Sequence, residues 1–306
     1  MDPFAAGPMT DAMPRILFAL AATVVVTGCG ESRLASLQTA IEHHAATSGA
    51  ETVGVYFRDL ASGDSLLFDA DARMHAASMM KVPVLIQLFR DQDAGRLSLD
   101  DSVVITKTFR SIVDSSTFDL DAPDDADTVL YARIGERASI ASLAERMITV
   151  SSNLATNMLI ELVGAARVQA TMRELGADSI AVLRGVEDIK AYEAGLSNTT
   201  TARDLGAIFT AIAAGTAASA ESCREMIAIL ERQEFNEGIP AGVPSEVRVA
   251  HKTGWISGIR HDGGIVTLPD GRRYVLVVLT RGIADVAVAD SLIVDVSRLV
   301  YDSVAG

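Results

Sequence analysis

The chain has 306 residues, 49% of them hydrophobic, with 26 Lys plus Arg against 40 Asp plus Glu and a formal net charge of -14. That is enough for one large core or two intimately packed lobes, and too apolar for a disordered chain. The acidity argues against a phosphate backbone, so nucleic acid is set aside as a partner, and any anionic substrate has to be held by a local basic site.

Met13 to Cys29 reads as a short cationic start, an apolar run and small residues, which is an export signal rather than a membrane span. Val26-Thr27-Gly28-Cys29 resembles a bacterial lipobox. Residues 1–29 are therefore expected to be a signal peptide with lipobox, and Cys29 the lipidated N-terminus of an exported, membrane-anchored lipoprotein facing the periplasm or cell exterior; an ordinary signal peptide or an uncleaved anchor is the alternative. Asp2 and Asp11 suit such a leader poorly, and a start at Met9 or Met13 suits it better. Cys223 is then left without a partner and reads as a small buried residue, so no disulfide framework is expected.

Arg33 to about Ser48 has the spacing of an amphipathic helix, through Leu34, Leu37, Ile41 and Ala45. Thr52–Asp59 and Asp64–Phe68 follow as a hairpin across a turn-rich stretch. Ala77–Asp91 predicts a buried helix that tolerates Pro83 because early N–H groups lack intrahelical partners. Residues 106–128 lose periodicity and accumulate Asp, Ser and Thr, which reads as a long loop, an insertion or a lid. Helical patterns return at Ser139–Thr149, Leu154–Val163, Ala165–Leu175, Thr201–Ala214 and Ala220–Glu231. Strands are expected at Val247–Lys252, Gly264–Leu268 and Tyr274–Leu279, the last two joined by a turn at Pro269-Asp270-Gly271-Arg272, and a final helix from about Asp285 to Tyr301. This order predicts an α/β (α+β) fold, with a five-stranded antiparallel sheet completed from both ends of the chain and flanked by the terminal helices. Residues 31–85 and 205–306 would form this α/β lobe, residues 86–204 an all-helical lobe, and the cleft between them the site.

Ser78-Met79-Met80-Lys81 places a hydroxyl at a helix start and an amine one turn on, on the same face. Serine needs a base, and a desolvated Lys with a lowered pKa can supply one; taken alone, the pattern also fits a Ser cap followed by a surface Lys. The chain holds only four lysines, Lys81, Lys107, Lys190 and Lys252, against twenty-two arginines. Because Arg does not deprotonate, a base at position 81 has to be Lys. A second lysine opens Lys252-Thr253-Gly254-Trp255, where Gly254 allows close approach of substrate, although a strand ending in a polar turn reads the same way. Between two helical stretches, Ser151-Ser152-Asn153 offers a hydroxyl and an amide that can relay a proton and hold a substrate, or simply cap a helix.

In this order the three elements resemble the S-x-x-K, S-D-N and K-T-G motifs of class A β-lactamases and penicillin-binding proteins, and the resemblance covers roughly residues 33–304. It implies a β-lactamase/transpeptidase-like fold and a serine hydrolase that opens a β-lactam amide through an acyl-enzyme at Ser78. Lys81 would activate Ser78 and Ser151 relay the proton, with Asn153, Lys252, Thr253 and Gly254 binding substrate. The N–H groups of Ser78 and Trp255 would form the oxyanion hole. Glu187, 36 residues after Ser151, falls where the family carries the Glu that activates the deacylating water. No cofactor or metal is implied, His43, His44, His75, His251 and His261 show no zinc spacing, and a monomer acting on a β-lactam or peptidoglycan-like molecule is expected.

The chain departs from the family in places. Ser152 stands where the motif has Asp, which leaves the turn short of a carboxylate. Glu187 is followed by Asp188 rather than Pro, and Ala191 stands where an Asn helps position the water. Acylation is thus better supported than turnover, which keeps a cell-wall D,D-peptidase or another amide or ester hydrolase, and a non-enzymatic penicillin-binding sensor, as alternatives.

Overall fold

The computed structural model describes residues 28–306, with side chains from Arg33 onward. The leader and the lipidation of Cys29 lie outside what it describes. From the N-terminal side, α1 (Gly28–Thr47) leads into the hairpin β1 (Thr52–Asp59) and β2 (Ser65–Phe68), then β3 (Met74–His75), a 3-10 turn (Ala77–Met80) and α2 (Lys81–Asp93). The short strands β4 (Ser102–Val104), β5 (Thr108–Arg110), β6 (Thr117–Asp119) and β7 (Arg137–Ser139) precede α3 (Ile140–Thr149), α4 (Asn153–Val163), α5 (Ala165–Glu174) and α6 (Ile189–Glu193). After β8 (Thr199–Thr200), α7 (Ala202–Ala214) and α8 (Ala220–Leu230), the chain forms β9 (Arg248–Ile256), β10 (Ile259–Thr267), β11 (Arg273–Arg281) and α9 (Val286–Ala305).

Alternation along β1 and β11 decides how the sheet is covered. Val55, Phe57, Leu276 and Val278 face Ile41 of α1 and Ile293, Val296 and Val300 of α9. The intervening Tyr56, Val275, Val277 and Leu279 face Leu205, Ile208, Phe209 and Ile212 of α7 and the other helices. Buried on both faces, β11 is therefore apolar almost throughout, and it lies at the centre of the sheet, whose order is β2-β1-β11-β10-β9 with every neighbour antiparallel. The five-stranded antiparallel sheet expected from the sequence is the one that forms. Cys223 is buried, as expected.

Several elements differ from the sequence reading: β10 begins at Ile259 rather than Gly264, and residues 86–204, expected to be all-helical, also carry the short paired strands β4 to β8. β9 continues through Thr253 and Gly254 to Ile256, because register with β10 gives each residue from 248 to 256 a cross-strand partner; tertiary pairing overrides the local turn signal. Residues 106–128 are not one loop: β5 and β6 pair from Thr108 with Asp119 to Arg110 with Thr117, and Ala122–Asp124 forms a 3-10 turn. The helix expected from Ala77 begins as the 3-10 turn, and α2 proper starts at Lys81. Residues 81–89 of α2 are buried all round, which is the central helix predicted.

Candidate active site

The turn carrying Ser78 is held from several directions. Ala77 has a positive φ of 45°, and its N–H donates to Nδ1 of His75 (3.0 Å). His261, fully buried and pushed down to about 4 by burial, donates Nε2–H to the His75 carbonyl (3.0 Å), while Ala76 N–H donates to the Asn198 carbonyl (2.9 Å). A non-glycine residue in this region is strained and persists only where its surroundings over-determine it. Ser78 itself is half-buried. A Cβ on Gly254 would lie 3.1 Å from Ser78 N and from Met79 Cγ, tighter than ordinary contact, so glycine lets β9 run close to the serine turn without displacing it. That approach sets β9 against the turn that carries Ser78. The Trp255 ring packs edge-on against Phe235 (4.9 Å between centroids), with the Arg260 guanidinium over it.

Both lysines of the motifs are wholly buried and converge on one hydroxyl. Lys81 Nζ donates to Ser151 O (2.6 Å), Ser151 Oγ (3.1 Å) and Asn153 Oδ1 (2.9 Å). Lys252 Nζ donates to the same Ser151 Oγ (3.0 Å) and to the Thr253 carbonyl (2.8 Å). Burial lowers Lys81 to about 7, against the opposing pull of Asp125 and Glu187. Burial, and then the neighbouring Lys81, holds Lys252 well below its usual value, against Asp262. Two buried ammonium groups facing one oxygen disfavour each other, and a neutral amine at neutral pH is what a serine requires of its base. Thr253 Oγ1 is buried with no hydrogen-bond partner among the described residues, a polar atom left for something else to satisfy.

Glu187 also has a positive φ, 63°, and its Oε1 accepts from Asn153 Nδ2 (2.6 Å). Asn153 therefore bridges Lys81 and Glu187. Burial raises Glu187 above the usual carboxylate range, Asn153 opposes this, Asp125 and Asp124 add to it, and Lys81 opposes it. The loop around it is pinned: Asn157 donates to the Val186 carbonyl (2.9 Å) and accepts from Val186 N–H (2.6 Å), and Asn198 Oδ1 accepts from Leu183 N–H (2.8 Å). Asp188 is not a loose substitute for proline. Its carboxylate accepts from Ser111 Oγ (2.9 Å), Ile112 N–H (3.0 Å) and Ala191 N–H (3.1 Å), tying the Glu187 loop to the β5–β6 hairpin and capping α6. Ala191 is buried and presents no polar side-chain atom toward the site.

The carboxylate missing at Ser152 arrives from elsewhere in the chain. Ser152 caps Ala155 N–H (3.2 Å), and Asp125 accepts from Asn153 N–H (2.9 Å) and Leu154 N–H (2.8 Å). Sequence reasoning did not single out Asp125, His75 or Asn157, whose contributions depend on contacts across long separations. Lys81, Ser151, Asn153, Glu187 and Lys252 are joined by hydrogen bonds, Thr253 by its carbonyl to Lys252, and Gly254 lies against the turn that carries Ser78.

A half-buried serine, a buried amine lowered toward neutrality, a shared hydroxyl and a carboxylate on a pinned loop define the layout of an acyl-transfer site, on the β-lactamase/transpeptidase fold. Comparison with known proteins agrees. The chain belongs to the β-lactamase enzyme family, whose model matches residues 36–304. It is 27% identical over 261 residues to a β-lactamase of Streptomyces lavendulae, covering 83% of this chain and 82% of that one. Among solved structures it is similar to PBP-A (32% identity, TM-score 0.78) and to a β-lactamase from Sphaerobacter thermophilus (29% identity, TM-score 0.74), each match covering 89% of this chain and 97% of the other.

Proposed function

We propose that the protein hydrolyses the amide of a β-lactam through an acyl-enzyme at Ser78. The observation that carries this reading is the buried chain of contacts from Lys81 through Ser151 Oγ to Lys252. Neutral Lys81 takes the Ser78 proton as Oγ attacks the carbonyl carbon, and the N–H groups of Ser78 and Trp255 stabilise the oxyanion. Ser151 passes a proton to the ring nitrogen as the C–N bond breaks, and is reprotonated from Lys81 or Lys252. Lys252 and the unpartnered Thr253 Oγ1 suit the substrate carboxylate. Glu187 then takes a proton from a water that attacks the acyl carbon and returns it to Ser78 Oγ as the ester bond breaks, releasing the product and restoring the serine hydroxyl.

A second reading, an acylating protein that releases its product slowly, is favoured by the apolar, buried Ala191 four residues after Glu187 and by the likeness to PBP-A, a variant of which was solved as an acyl-enzyme complex with penicillin G. One experiment tests both. Protein from Glu31 onward is mixed with penicillin G, quenched at intervals and analysed by intact mass and peptide mapping. A covalent adduct on the peptide containing Ser78 is expected. Decay within seconds supports hydrolysis and persistence for hours supports the slow-release reading, whereas no adduct with any β-lactam, together with unchanged activity in Ser78→Ala, overturns both.

The lipobox-like segment supports export and anchoring through Cys29, which would hold the enzyme at the envelope. In a bacterial host fed labelled palmitate, label should enter the full chain and be absent from Cys29→Ala; equal labelling of both would overturn the anchor.

A further inference from the structure

We propose that Asp125 is a positioning residue of this site: its carboxylate, brought in on the 106–128 segment, holds the Ser151–Asn153 turn in the orientation in which Asn153 bridges Lys81 and Glu187. The inference rests on the acyl-enzyme reading above.

Asp125 is buried, and both oxygens are engaged. Oδ1 accepts from Asn153 N–H (2.9 Å) and Asp127 N–H (3.0 Å), and Oδ2 from Leu154 N–H (2.8 Å) and the Tyr131 hydroxyl (3.2 Å). Asn153 and Leu154 are the first residues of α4, whose N–H groups have no partner within the helix. A carboxylate there is favoured by the helix dipole as well as by the hydrogen bonds. The turn needs such a tether because Ser151 sits at a φ of 57°, a strained conformation for a serine that its surroundings have to hold. The segment bearing Asp125 is itself anchored, since buried Asp127 is paired with Arg146 of α3 (Nε to Oδ2, 2.6 Å). Through Ser111 and Ile112, the same stretch of chain grips Asp188, next to Glu187. Residues 106–128 thus clamp both the amide and the carboxylate that flank Lys81, which is a different task from covering the cleft.

The charged groups facing Lys81 are Lys252 from β9, Glu187 from its loop and Asp125 from the clamp. Asp125 favours the protonated amine, and burial disfavours it. The two influences give opposite signs when Asp125 is changed. Removing only the charge lowers the Lys81 pKa and moves the acid limb of adduct formation to lower pH. Loosening of the packing readmits water to Lys81 and moves that limb up toward the ordinary lysine range.

The test is the rate of penicillin G adduct formation by the Glu31-onward protein between pH 5.5 and 9. Asp125→Asn turns an NH₂ group toward one of the α4 N–H groups; its adduct formation is expected to slow about 10- to 100-fold, with the acid limb shifted to lower pH. Asp125→Glu keeps the charge but displaces the carboxylate by a methylene; it should also slow, with the limb in place, and it carries the test if the Asn variant does not fold. Wild-type rates in both variants, or a limb shifted to higher pH in Asp125→Asn, would overturn the positioning role while leaving the acyl-enzyme reading intact. A wild type that forms no adduct and whose β-lactam turnover is unchanged by Ser78→Ala overturns both.

Discussion

Glu187→Gln is expected to form the penicillin adduct at close to the wild-type rate and to lose it about 10²- to 10⁴-fold more slowly, the range associated with a positioned general base. Gln keeps an oxygen that can accept the 2.6 Å hydrogen bond from Asn153 Nδ2 and leaves the loop's other pins untouched, so the substitution isolates the loss of basicity. The pH dependence gives a second reading of the same residue. Burial raises Glu187, and only its ionised form can take a proton from water, so adduct decay should fall away at a higher pH than an ordinary glutamate would give. Removing the Glu187 charge also removes support for protonated Lys81, and the acid limb of adduct formation should move to lower pH in the variant. Adduct decay that is equally fast in Glu187→Gln would mean that the water is activated elsewhere, and adduct formation slowed as much as decay would make Glu187 part of acylation as well.

The parts of this site legible in the sequence are those whose chemistry is local. Ser78 and Lys81 are one turn apart, and Lys252, Thr253 and Gly254 are consecutive, so spacing alone places them together. The sheet was legible for a similar reason: runs such as Tyr274–Leu279 carry the apolar character of a strand buried on both faces. The β5–β6 hairpin was not, because its strands are three residues each, mostly exposed, with only Phe109 and Phe118 packing across it. Asp125 was hidden among neighbouring carboxylates at 119, 121, 124 and 127, which composition cannot tell apart. Only the fold shows that Asp125 and Asp127 are buried and partnered, with Asp125 reaching residues 28 positions further on. Asp188 read as a departure from the family pattern because its partners, Ser111 and Ile112, lie more than seventy residues earlier. The end of β9 was misplaced because Thr253-Gly254 is a turn signal in isolation, and glycine there serves the approach to Ser78 instead.

Lys81→Met should reduce adduct formation by about 10²- to 10⁴-fold, since it leaves Ser78 with no adjacent base of suitable pKa. The same substitution has a consequence for stability whose sign follows from the burial of the amine. In the unfolded chain Lys81 titrates at the ordinary lysine value of 10.5, and in the folded protein burial brings it down to about 7. Between those values the unfolded state binds more protons, so the wild type gains stability as pH rises from about 7 to about 10.5, and the cost of burying the charged amine is greatest below 7. The full difference is on the order of 5 kcal/mol. Met removes the titration but leaves the Ser151 carbonyl and Asn153 Oδ1 without the hydrogen bonds that Lys81 donates, a loss that is largely independent of pH. The stability of Lys81→Met relative to wild type should therefore be most favourable at pH 7 and should decline by several kcal/mol by pH 10, as read from urea unfolding at the two values. Relief of Lys252, which Lys81 helps to depress, acts in the same direction. A difference between the two proteins that does not change with pH would show that Lys81 titrates in the fold as it does in the open chain, and an amine of that kind could not serve Ser78 as a base at neutral pH.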